Sequence, residues 1–187
     1  IKEAIKAYPE IYFAKLVILG EGDTEEIVIP KFLKANGIYS YDAGISIAPL
    51  GGRHVNHMWK LLNQLEIPHI TLLDLDRERG GGGWGRIKYV LDKLIENGHN
   101  KEHLLEYYQG NIPAILTNEE LEEMGKWGLE EEALPLMDSW IEKLEGEKYN
   151  VFFSSPIDLD FVMLEQFPDA YKETMVNGPR LPLESEK

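Results

Sequence analysis

Two acidic constellations, Glu21-Gly22-Asp23-Thr24-Glu25 and Asp74-Leu75-Asp76, hold the residue types and spacings in this chain that can do chemistry. In an extended segment, residues two apart point to the same side, so Asp74 and Asp76 can converge on one hard cation. Mg²⁺ and Mn²⁺ prefer such all-oxygen ligands. Asp74 follows His69-Ile70-Thr71-Leu72-Leu73, a run buried enough that a carboxylate at its end needs a partner, because an unpaired buried charge is costly. A plain acid pair at a loop start is the alternative, and burial favours the cation. Glu21 and Glu25 lie one helical turn apart where a strand gives way to a helix. Acids also stabilise the positive end of a helix dipole, so capping explains that pair as readily as metal binding. Four carboxylates at neighbouring strand ends are expensive together unless cations neutralise them.

The elements that must position these acids read as β-α-β-α-β. Tyr12 to Leu19 is apolar apart from Lys15 and is expected as a buried parallel strand. A helix follows from Asp23 to about Asn36, where Asn36-Gly37 supplies the stop. Ile45 to Ala48 reads as a second strand, Val55 to Leu65 as a second helix and His69 to Leu73 as a third strand. Alternation of this kind predicts an α/β fold, a parallel sheet with right-handed crossovers. Ligand sites in such sheets gather at the carboxyl ends of the strands, where both acidic motifs fall. Further on come a glycine-rich loop, Arg77 to Gly85, and expected helices over Arg86 to Asn97 and Lys101 to Tyr108. Asn118 to Glu147 has helical apolar spacing (Leu121, Met124, Leu134, Met137, Ile141, Leu144) and reads as an inserted, dispensable helical hairpin. Tyr149 to Phe153 is expected as a fourth strand and Asp158 to Phe167 as a last helix. The domain reading is therefore a core over 10–116 and 149–170, a helical insertion over 117–148 and a tail over 171–187.

Composition narrows the function classes. The chain has no cysteine, which removes disulfides, thiolate metal sites and cysteine nucleophiles and is compatible with a reducing, cytoplasmic setting. The five histidines are scattered, against a four-ligand zinc site. No apolar run is long enough to span a bilayer, so no membrane partner is expected. No Gly-Lys-Ser/Thr phosphate loop is present, so this chain is not expected to hydrolyse ATP by that route. A net charge of −14 runs against the basic surfaces usual for phosphate binding, but eleven of the acids fall in 118–147, and carboxylates that hold metal are neutralised by it. The sequence opens on Ile1 within an expected helix, which reads as a fragment of a larger protein.

Glu-Gly-x-x-Glu after a first strand, with Asp-x-Asp about fifty residues on after a third, resembles the Toprim domain of topoisomerases, primases and nucleases. Val17-Ile18-Leu19-Gly20-Glu21-Gly22-Asp23-Thr24-Glu25-Glu26 and Leu72-Leu73-Asp74-Leu75-Asp76-Arg77, with the glycine-rich stretch to Gly85, look most like the overcoming-lysogenization-defect (OLD) family nucleases. The resemblance implies a Toprim fold, DNA as substrate, two Mg²⁺ or Mn²⁺ ions, and an ABC-type ATPase domain preceding this one. It implies roles for Glu21 as metal ligand or acid/base and for Glu25, Asp74 and Asp76 as ligands. Asp158-Leu159-Asp160 best matches the family's later acidic motif, and a helix cap explains Asp158 equally well. The family's late lysine is not placed in this sequence, and a homo-oligomeric state is left open.

Weaker signals have plainer explanations. Gly80-x-Gly82-x-x-Gly85 formally matches a dinucleotide fingerprint, but it does not follow its strand directly as that motif requires. A mobile loop near the site, with Arg77, Arg79 and Arg86 as phosphate contacts, is the better reading. Gly51-Gly52-Arg53-His54 serves as a helix-entry turn or a backbone approach to phosphate. His54 and His57, and the tyrosines at 39, 41, 107 and 108, read as surface or packing residues. Three other classes stay open beside the nuclease: another Toprim enzyme (primase or topoisomerase), a phosphatase-like or response-regulator-like domain using Asp74, or a non-catalytic binding module. Phosphoryl acceptance at Asp74 would need a lysine at a later strand end, a position that Lys15 and Lys148 fit poorly.

Overall fold

The computed structural model describes residues 8–50, 55–109, 112–146 and 148–170. The tail expected over 171–187, the start of the chain and the Gly51 to His54 turn lie outside the described residues. In chain order the elements are β1 (Leu16–Gly20), α1 (Asp23–Ala35), α2 (Ser40–Ala43), β2 (Ile45–Pro49), α3 (Val55–Gln64), β3 (His69–Asp74) and α4 (Trp84–Glu96). They continue with α5 (Lys101–Leu105), β4 (Glu106–Gln109), β5 (Ile112–Ile115), α6 (Asn118–Glu123), α7 (Leu134–Glu145), β6 (Val151–Ser154) and α8 (Leu159–Gln166). Four strands form one parallel sheet in the order β2-β1-β3-β6, with Gly20 level with Pro49 and Asp74 level with Ser154. The expected α/β class, a Toprim-like parallel sheet flanked by helices, is what the chain adopts.

Apolar spacing explains how the helices seat. Val55, Met58, Trp59 and Leu62 on α3, and Ile87, Val90, Leu91 and Leu94 on α4, recur at three- and four-residue intervals. Those stripes bury into the same cluster as Val17, Leu19, Leu73 and Leu75. Within it, the Trp59 indole N–H donates to Thr71 Oγ1 at 2.9 Å, so neither polar group is stranded in the core.

Two local expectations are corrected. The first strand begins at Leu16 rather than Tyr12, because Pro9 starts a 3₁₀ turn through Phe13, whose ring stands 88% exposed. The helix from Lys101 stops at Leu105, and Glu106–Gln109 instead pairs antiparallel with Ile112–Ile115, placing Tyr107 opposite Ala114. Aromatic residues favour that extended, half-buried geometry.

The segment from Asn118 is helical as expected and begins with a reciprocal cap. The Thr117 hydroxyl accepts the Glu120 N–H at 3.1 Å, and the Glu120 carboxylate accepts the Thr117 N–H at 2.8 Å. Most of its described acids, Glu119, Glu120, Glu122 and Glu123 among them, are exposed, yet Leu121, Met124, Met137, Trp140 and Leu144 join the same buried cluster as the strands. The Trp84 indole N–H donates to the Gly128 carbonyl at 2.9 Å, and its ring meets Trp127 edge-on at 5.0 Å. The expectation that this segment is dispensable is therefore revised. Trp140→Ala should lower unfolding stability by about 3–5 kcal/mol in a urea titration, the usual cost of truncating a buried aromatic. A loss under about 1 kcal/mol would show that the segment packs independently of the core.

Candidate metal centre

Both acidic motifs end at one edge of the sheet, as neighbouring parallel strands require. Glu21 directly follows β1 and Asp74 closes β3, and the Asp74 N–H donates to Glu21 Oε1 at 3.3 Å. Glu25, in the first turn of α1, folds back over the strand end and is only 3% exposed. The room for that comes from Gly20, where an added Cβ would lie 2.5 Å from the Glu25 Cβ. Glu25 Oε2 accepts the Gly22 N–H at 3.0 Å, so one of its oxygens makes the capping bond that the sequence also allowed. Asp158 caps α8, accepting the Phe161 N–H at 2.8 Å, and Asp160 accepts from the Thr24 hydroxyl at 3.2 Å. Glu21, Glu25, Asp74, Asp158 and Asp160 line one cleft of about 280 Å³.

Asp76 departs from expectation. Its φ of 51° breaks the extended geometry on which the same-side argument depended, and its side chain does not line the cleft. The glycine loop wraps this residue: Arg79 N–H donates to the Asp76 carbonyl at 2.8 Å, and a Cβ at Gly82 would lie 1.8 Å from that oxygen. The loop thus serves to close tightly on Asp76 and deliver two arginines to its carboxylate. Arg79 Nη1 donates to Asp76 Oδ1 at 2.8 Å, and its Nη2 pairs with Asp158 at 3.0 Å. Arg86 Nη2 donates both to Asp76 Oδ2 at 2.8 Å and to Glu21 Oε2 at 3.0 Å, while Nη1 lies 2.9 Å from Glu21 Oε1. Arg86, expected as a phosphate contact, is instead 3% exposed beneath the site. Its position after five glycines, just inside a helix, was the available signal; its partners lie ten and sixty-five residues away and no local pattern shows them.

The electrostatics divide the acids. Burial raises the pKa of Asp74 to about 7, with Glu21 and Glu25 adding repulsion that the Leu159 N–H only partly offsets. Burial also raises Glu21, against the pull of Arg86. As the side chains stand, no three Asp, Glu or His among the described residues close around a single point as ligands do. An oxygen-only donor set containing a buried, repelled carboxyl nevertheless fits a hard divalent cation, which would favour the ionised form that burial disfavours.

The four-stranded parallel sheet flanked by helices is a Toprim-like α/β fold. Within that class, the family described as "Overcoming lysogenization defect protein-like, TOPRIM domain" matches residues 12–76, so the chain carries an OLD-like Toprim segment and the resemblance read from its motifs holds. The C-terminal region of the Xanthomonas campestris pv. campestris OLD protein is similar in structure, with a TM-score of 0.56 at 22% identity over 94% of this chain and 69% of that one. The C-terminal region of the Burkholderia pseudomallei OLD protein gives 0.53 at 24% identity, over 89% of this chain and 69% of that one. None of the curated proteins matches the chain. Among the described residues no helix is long and apolar enough to cross a membrane.

Asp74 gives the site a testable pH signature. With its pKa raised from the ordinary 3.8 to about 7, the native state holds a proton that the unfolded chain has lost between those values. The stabilising contribution is full below 3.8, declines as pH rises toward 7 and is lost above it. Asp74→Asn should therefore raise the thermal midpoint of the cation-free protein at pH 8, by about 1–2 kcal/mol in stability once solvent screening is allowed for, and leave it little changed at pH 4. Equal or lower midpoints at pH 8 would contradict this.

Proposed function

We propose that the chain is the divalent-metal-dependent catalytic core of a DNA endonuclease or nickase, part of a larger ATPase–nuclease. The observation that carries this reading is the single cleft shared by Glu21, Glu25, Asp74, Asp158 and Asp160 at the ends of β1, β3 and β6. Mg²⁺ or Mn²⁺ ions held there would polarise the phosphodiester and supply a hydroxide nucleophile at neutral pH. Asp74 and Glu25 would be ligands, with Asp158 and Asp160 contributing from the start of α8. Glu21 would serve as a further ligand or as acid/base, since it lies against Asp74 on one side and is joined to Asp76 through Arg86 on the other.

The chain's own groups have separate tasks. Asp74, proton-bearing near neutral pH without a cation, gives up that proton as a ligand, which makes cation binding pH-dependent. Arg79 sits at the rim with its side chain 60% exposed and holds Asp76 and Asp158 in place. Its remaining N–H groups are suited to a phosphate oxygen. The acid-rich outer face over 118–147 would repel DNA, so the substrate would approach from the Arg79 side. We take 10–116 and 149–170 as the catalytic core and 117–148 as a helical segment inserted in sequence but packed with it. An upstream ATPase domain and a cytoplasmic setting belong to the same proposal.

Supercoiled plasmid should be nicked or linearised by the protein in Mn²⁺, and chelation should stop it. Asp74→Asn, with native circular dichroism, should slow cleavage at least about a hundredfold, equivalent to about 2.7 kcal/mol of barrier. Cleavage by Asp74→Asn at the wild-type rate would overturn the assignment.

A further inference from the structure

The acids of the centre are not equivalent. Both Asp76 oxygens accept from arginine, Oδ1 from Arg79 and Oδ2 from Arg86, and both Glu21 oxygens lie against the Arg86 guanidinium. Asp74 and Glu25, by contrast, have no ion-pair partner among the described residues. Arg86 is held incompletely: its Nε is buried without a hydrogen-bond partner among the described residues, and Nη1 meets Glu21 Oε1 at 2.9 Å as an ion pair off the line of a hydrogen bond. A guanidinium carries five donors and keeps its charge at any ordinary pH, so leaving buried N–H groups unmatched weakens its seat.

We propose that Arg86 is a resident counter-cation occupying the place between Glu21 and Asp76 that a second divalent ion would take. The centre then loads in order: Asp74 and Glu25 accept a cation first, and Glu21 and Asp76 do so only when Arg86 has left them. The inference rests on the cation-binding reading above and concerns its sequence and control. Arg86 thereby acts as a positioning residue. Before loading it holds Glu21 and Asp76 apart from each other's charge; after its release, its fork of donors is available to an anion such as a phosphate oxygen. Removing one partner from a buried charge pair leaves the other strongly destabilised, so the arrangement also ties folding to charge balance at this point.

The test is Mn²⁺ titration of the full chain followed by electron paramagnetic resonance of free Mn²⁺, on wild type, Arg86→Gln and Arg86→Lys. Wild type should take up one Mn²⁺ tightly and a second at least tenfold more weakly. Arg86→Gln should bring the second affinity to within about threefold of the first and should recover its thermal midpoint on adding Mn²⁺. Arg86→Lys, which keeps the charge, should stay like wild type, whereas a purely structural role would predict the same behaviour for both variants. If Arg86→Gln does not fold even with Mn²⁺, Asp76→Asn decides: loss of the weak ion alone supports the order, and loss of the tight ion overturns it. Two equivalent ions on wild type, or an unchanged second affinity in folded Arg86→Gln, would overturn the inference while leaving the centre intact. No Mn²⁺ on wild type would overturn the centre itself and the inference with it.

Discussion

A guanidinium buried below the surface has to be met by carboxylates, and in this chain that requirement joins three elements. Arg86 stands in the first turn of α4, Glu21 at the end of β1 and Asp76 just past β3, and one nitrogen, Nη2, bonds to both acids. The interaction fixes where the helix after the glycine loop begins, how the loop folds and which way Asp76 faces. Replacing such a cluster by apolar residues of similar volume is often neutral or stabilising in other proteins, so stability alone gives little reason to keep it.

The adjoining cleft has the opposite character. Asp74 and Glu25 crowd each other under α1 and α8, and burial raises the proton affinity of Asp74. Functional centres commonly store unfavourable electrostatics of this kind, which a ligand then relieves. The contrast between an arginine-satisfied half and a repelled half a few residues apart gives the site a polarity that counting its acids does not reveal.

Much of the scaffold was legible in the sequence. Uninterrupted apolar runs such as Leu16 to Leu19 read as buried strands, and the spacing of Val90, Leu91 and Leu94 reads as a helix face. The alternation of these elements put Glu21 and Asp74 at one edge, because parallel neighbours must end together. What escaped depended on contacts distant in sequence or on backbone geometry. Tyr107 and Tyr108 extended an expected helix because only pairing with Pro113 and Ala114 makes them a strand. Asp76 could be aligned with Asp74 only while its φ was assumed negative. The buried face of 118–147 was visible as an apolar stripe, but a stripe does not say whether it meets its own hairpin or the sheet.

The close approach of Gly82 to the Asp76 carbonyl bears on how such a chain can vary. Surface loops usually absorb insertions and deletions with little cost, and drift in length faster than the elements they join. The stretch from Arg77 to Gly83 is a loop by composition and a measured strap by geometry: Gly83 N–H reaches back to the Leu75 carbonyl at 2.7 Å, and Arg79 and Gly82 close against its interior. An added residue would unseat these bonds and carry Arg86 away from both acids. Many exposed side chains along the strap could change, but its length could not, so lineages diverging from this chain would carry their insertions elsewhere.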